Sequence, residues 1–172
     1  MPFKSILLFS IFFGFFSCST STQKSDEKKD KIVQEPIITL KEPLKLNKEA
    51  AKNYAKWQDY QNFKEQFNQF LKTTQSEAFS NAQELNSLAL QLKDSLKIES
   101  LKIPAFKARL NVLQSETMRL EDMMTISNLK TEDVRAQLIK ILNAFNATNA
   151  KLNNLVVQQQ LEKEILQLKD SL

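Results

Sequence analysis

Few residues of this chain are of a type that does chemistry. There is one thiol, Cys18, at the end of the first apolar stretch, and no histidine anywhere in the 172 residues. One cysteine makes neither an internal disulfide nor a CxxC site, and without imidazole both the usual general base and the commonest zinc ligand are missing. Carboxylates stand as adjacent pairs, Glu121-Asp122 and Glu132-Asp133. Neighbours on a helix point away from each other, so these pairs read as solvated faces and helix-start charges rather than as a cation or acid/base site. The sole glycine, Gly14, lies in the same apolar stretch as Cys18, so nothing downstream has the Gly-rich loop that cradles phosphates. No catalytic, metal-ligating or cofactor-binding residue is assigned, and the chain is expected not to be an enzyme.

A second group is notable for bulk rather than reactivity. Tyr54, Trp57, Tyr60, Phe63, Phe67 and Phe70 follow one another at steps of three and four residues, which puts them on one stripe of a helix. Such a stripe is either core or the lining of a surface that takes an acyl chain or a partner helix. Met118, Met123 and Met124 pose the same choice between plastic groove and core filler. Charge says little about partners. The chain carries 24 Lys+Arg against 20 Asp+Glu, a net +4 spread along its length with no polybasic block, so nucleic acid is not an expected partner.

At the N-terminus, Lys4 precedes an apolar run from Ile6 to Phe16 that is interrupted only by Ser10 and Gly14. That length suits the h-region of an export signal and falls well short of the roughly 20 residues of a membrane span. The run ends Phe15-Phe16-Ser17-Cys18. It resembles a bacterial lipoprotein signal, whose lipobox ends in a small residue followed by the cysteine that is acylated and becomes the mature N-terminus; Phe15 and Phe16 are similar to the looser lipoboxes of Bacteroidota lipoproteins. An ordinary secretory signal with an incidental cysteine and an uncleaved short anchor are the alternatives. The resemblance implies a signal peptide over 1–17, a lipid on Cys18 and a membrane as partner through that anchor. Ser19, by resemblance to enterobacterial sorting in which Asp at this position retains lipoproteins in the inner membrane, implies the outer membrane, facing either the periplasm or the outside.

Residues 18–45 read as a flexible tether. Ser19 to Lys31 is polar and mixed in charge, so it cannot bury enough to offset its ordering entropy, and Pro36 and Pro43 keep Ile37 to Leu40 extended. From 46 to 172 the pattern is helical. Asn47 is the N-cap of a first helix over about 47–99, whose stripe continues from the aromatics through Ala78, Ala82, Leu85, Leu88, Leu92 and Leu96. Thr73 to Ser76 is the best place for a break in it, because Thr74 and Glu77 have capping-box spacing, although no Gly or Pro accompanies them. Pro104 opens a second helix to about 127, with Phe106, Leu110, Leu113, Thr117, Leu120 and Met124 inward. The third, about 131–171, starts with Glu132 and Asp133 in its first turn and turns Val134, Leu138, Ile141, Phe145, Thr148, Leu152 and Leu155 inward. Gln158-Gln159-Gln160 then interrupts the stripe, which resumes in a new phase at Leu161, Ile165, Leu168 and Leu172. Short connections make successive helices antiparallel neighbours, so the expected fold is all-α, an antiparallel three-helix bundle with coiled-coil character. The heptapeptide Leu90 to Leu96 recurs as Leu166 to Leu172, by duplication of a helix or by coincidence in a chain rich in Leu, Lys, Gln and Ser.

The stretch Ile103 to Leu113, followed by Glu116, Arg119-Leu120 and Asp122-Met123, resembles a group of uncharacterised helical lipoproteins of Flavobacteriia and other Bacteroidota, over roughly residues 55–157. It implies a lipoprotein and a helical bundle, and no activity. Lys107, Arg109, Glu116, Arg119 and Asp122 make a charged face that is either a partner epitope or a set of intrahelical pairs. The expected function is a lipid-anchored envelope protein that acts by contact with another envelope protein, the alternative being a carrier or sensor of an apolar ligand held between helices.

Overall fold

The computed structural model describes residues 34–94 and 96–171. The expected signal peptide, Cys18 and the tether up to 33 lie outside them. The class is all-α: the structure is 74% helical, with a small two-stranded sheet. Among the described residues the elements run β1 Ile38–Thr39, α1 Lys48–Asn53, α2 Gln58–Asn68, β2 Lys72–Thr73, α3 Gln75–Ser80, α4 Ala82–Asp94, α5 Pro104–Met123 and α6 Thr131–Asp170. One body spans Gln34–Leu172.

The expected first helix is divided into four. Asn47 is its cap as expected, its side chain accepting from the Ala50 amide at 2.8 Å. The chain then leaves the helix at Tyr54 and closes a turn in which the Trp57 amide donates to the Tyr54 carbonyl at 3.1 Å. No Gly or Pro marks this turn. It re-aims the chain so that Tyr54, Trp57 and the α2 aromatics all turn inward. The break expected at 73–76 is present. The Thr74 amide donates to the Glu77 carboxylate at 2.8 Å, and the Glu77 amide donates back to the Thr74 hydroxyl at 3.2 Å, a reciprocal cap that opens α3.

The extended residues just before it, Thr73 and Lys72, pair antiparallel with Ile38 and Thr39. Here the structure differs from the expected tether boundary at 45. The chain is already tied to the body at Glu35, whose carboxylate accepts from the Ser76 amide at 3.1 Å; Ile38 is fully buried, and the Leu40 amide donates to the Leu71 carbonyl at 2.9 Å. Pro36 and Pro43 do keep this segment from being helical, but an extended segment with a buried Ile38 is a strap across the body rather than a spacer.

α6 begins and ends close to where the pattern puts it, and α5 begins at Pro104 as expected but ends at Met123, one turn short of 127. Pro104 at the first position supplies a preset φ where a missing amide costs nothing, and the Asp133 carboxylate accepts from the Lys130 amide at 3.2 Å to open α6. α5 packs on α4 along one side and on α6 along the other. Phe106, Leu110, Leu113, Thr117 and Leu120 are buried, as are Val134, Leu138, Ile141, Phe145, Thr148, Leu152 and Leu155. Met124, expected inward, falls just past the end of α5 and is exposed. Two polar pairs join α5 to its neighbours: the Asn86 amide group donates to Glu121 at 2.6 Å, and the Gln137 amide group donates to the Glu116 carbonyl at 2.8 Å, whereas the buried Trp57 Nε1 has no hydrogen-bond partner among the described residues. Thr131 donates to Gln75 at 3.0 Å and joins the start of α6 to the start of α3.

The turn between α5 and α6 needs a left-handed residue, and Asn128 supplies it at φ 59°. With no glycine in the body, asparagine is the side chain that tolerates this conformation best. Asn128→Ala is therefore expected to cost about 1 kcal/mol, and Asn128→Gly to leave stability unchanged or slightly raised, as urea melts would read.

Candidate functional site

The aromatic stripe goes into the core. Tyr54, Trp57, Tyr60, Phe63, Phe67 and Phe70 are all 8% exposed or less. α2 is amphipathic and packs on α4, and its aromatic face reaches Phe145 of α6, which is the hub: its ring centroid is 5.1 Å from that of Phe63, 5.7 Å from Phe67 and 6.0 Å from Tyr60, with Phe63 and Phe67 meeting it edge to face. Trp57 stacks on Tyr60 at 5.7 Å and leans on Phe106 of α5 at 6.2 Å.

Of the six, Tyr60 lines a cleft. The cleft, of about 480 Å³, lies between the strap at 42–46, α1, the length of α2 and the middle of α6, with the buried Tyr60, Phe145 and Asn149 at its floor and the exposed Lys64 at its rim. The Tyr60 hydroxyl donates to Asn149 Oδ1 at 3.0 Å, while Asn149 Nδ2 donates to the Leu44 carbonyl at 2.7 Å. Burial pushes the Tyr60 phenol up to about 12 and raises that of Tyr54 too.

Asn149 is one of three. Asn146 Oδ1 accepts from the Leu44 amide at 2.7 Å; one turn on, Asn153 Oδ1 accepts from the Asn47 amide at 2.8 Å and its Nδ2 donates to the Lys45 carbonyl at 3.1 Å. The three side-chain amides stand in for a neighbouring β-strand and hold the strap down on α6. Their spacing of three and four residues is visible in the sequence, but asparagine on a helix face otherwise reads as a solvated residue. This ladder is what the sequence reading missed, and with it the docked strap.

The remaining candidates are dispersed. Glu116 meets Arg119 at 3.8 Å on its own helix, and Arg109 donates to the Ala105 carbonyl one turn back, while Lys107 and Asp122 are exposed. Met118 is exposed and Met123 packs partly against the core. Among the described residues no group of three or more His, Cys, Asp or Glu comes together, and no helix is long and apolar enough to cross a membrane.

The other unusual surface is the far end of α6. Val156 is the last residue buried in the body; beyond it Val157, Leu161, Ile165 and Leu168 are 55%, 56%, 45% and 66% exposed. The two copies of the heptapeptide therefore sit differently, with Leu92 of the first in the core and its counterpart Leu168 in solvent. Compared with protein-family models, curated proteins and solved structures, the chain matches none.

The Tyr60 site gives a pH prediction. The unfolded phenol titrates near 10 and the folded one near 12, so the folded state keeps a proton that the unfolded state gives up. The stabilisation is complete below about pH 10 and is lost as pH rises towards 12, a decline on the order of 2 kcal/mol. Urea melts at rising pH should show it, and Tyr60→Phe, which has no phenol proton to lose, should flatten the decline.

Proposed function

We propose that the chain is a non-catalytic, lipid-anchored protein of the cell envelope, carried to the outer membrane, whose helical body presents the far end of α6 for contact with a protein. The observation that carries this is the exposed apolar stripe beyond Val156. About 15 residues at ~1.5 Å each give a helical projection of roughly 20 Å that nothing in the body covers, and contiguous exposed apolar surface of this kind marks an interaction site. The support for the projection is an antiparallel trio, α4–α5–α6. Asn86 bonds to Glu121 between α4 and α5, and Glu116 bonds to Gln137 at nearly equal distances from the turn that joins α5 to α6. The anchor rests on the lipobox-like run ending at Cys18.

The anchor has its own test. Cys18→Ala should abolish acyl labelling and release the protein or leave its precursor, with the body still folded; retention of palmitate label by this variant would refute it. A second reading, carriage of a small amphiphile, is favoured by the cleft, whose floor is aromatic and whose rim carries Lys64. Native mass spectrometry showing co-purified lipid, lost with Tyr60 and Lys64 variants, would favour that reading over the first.

A further inference from the structure

The exposed stripe of α6 fits one partner better than any other, a second copy of itself. A helix advances about 100° per residue, so Leu161, Ile165 and Leu168 lie within about 60° of one another, while the residues that face the body, such as Phe145, Leu152 and Val156, lie on the opposite side of the same helix. The change of phase at Gln158 to Gln160 thus moves the apolar stripe from the body side to the solvent side. A partner helix can lie along it without meeting the body.

In heptad terms Leu161 and Leu168 occupy d and Ile165 occupies a, with Gln158 at the preceding a where the seam begins. A β-branched residue at a with leucine at d is the choice of parallel two-stranded coiled coils. The flanking charges agree. Glu164 falls at g and Lys169 at the following e, five residues on, which is the spacing at which g of one strand meets e of the other in a parallel pair. Two-fold symmetry makes that ion pair twice. We infer that the chain self-associates through residues 158–171 as a parallel, in-register two-stranded coiled coil.

The seam is short, about two heptads, but two circumstances favour it. The helix is already formed as the continuation of a packed helix, so no nucleation cost is added. The inference also rests on the proposed anchor: chains held in one membrane have a raised effective concentration, and a parallel pair places both bodies at the same end of the seam.

The full chain in intact cells gives the test. Leu161→Cys and Leu168→Cys, each oxidised separately, should both give a disulfide-linked dimer, because in a parallel in-register pair every d residue faces its own copy. Lys163→Cys, on the outer f position, should give none. Glu164→Lys alone and Lys169→Glu alone should each reduce the dimer about tenfold, and the double exchange should restore it. No dimer from either d position, a dimer from only one of them, or failure of the double exchange to restore it would overturn the parallel pairing. Maleimide labelling of Cys18 in the wild-type chain reports separately on the anchor: a free thiol there would contradict the lipid while leaving the cross-linking pattern to decide the pairing.

Discussion

Phe145→Ala is expected to be the most damaging single substitution in the body, at about 3 to 5 kcal/mol. Its ring is fully buried and touches three α2 aromatics, Tyr60, Phe63 and Phe67, so truncation leaves a cavity walled by rigid rings that cannot collapse into it. It also forms part of the cleft floor, so the cavity would open to water. Such a loss is a large share of the roughly 5 to 15 kcal/mol of a domain. Urea melts should show it, with Phe145→Leu recovering more than half. A cost near 1 kcal/mol would mean that the aromatic layer is not the centre of the core.

Leu113→Ala comes next, at about 2 to 5 kcal/mol. Leu113 is mid-way along α5, the helix packed on both α4 and α6, and is 1% exposed. Its loss loosens both interfaces together. Lys107→Ala, two turns earlier on the solvent side, should change stability by less than about 0.5 kcal/mol. Equal effects at the two positions would contradict the register of α5.

These positions were legible because a long helix repeats its pattern. In α5 and α6 each inward residue is backed by neighbours three and four away, Pro104 marks one start, and Glu132 with Asp133 marks the other. The division of the first helix was legible only at Thr74 and Glu77, whose side chains bond each other's backbone. The turn at Tyr54 to Trp57 was not. Its residues include no helix breaker, and what stabilises it is tertiary: it lets Tyr54, Trp57 and Tyr60 all be buried at once. The strap was hidden for a related reason. Proline and polar residues in 34–45 have the composition of a spacer, and the partners that order it are asparagines more than 100 residues away. Of the site candidates, the aromatic stripe was legible as a stripe, but whether it faces inward or outward depends on Phe145, which belongs to another helix. The new phase after Gln160 could be read directly, and its meaning required the body: only once Val156 is seen to be the last packed residue does the later stripe become a surface.

The central claim, that the end of α6 is a presented contact surface, is tested most directly by a photo-cross-linking residue placed at Ile165 of the full chain in intact cells, with Lys163 as the comparison on the opposite face. The account predicts a single discrete adduct at Ile165 and little at Lys163, with the mass of the adduct telling a second copy from another envelope protein. No adduct at Ile165, or equal and diffuse labelling at both positions, would contradict it.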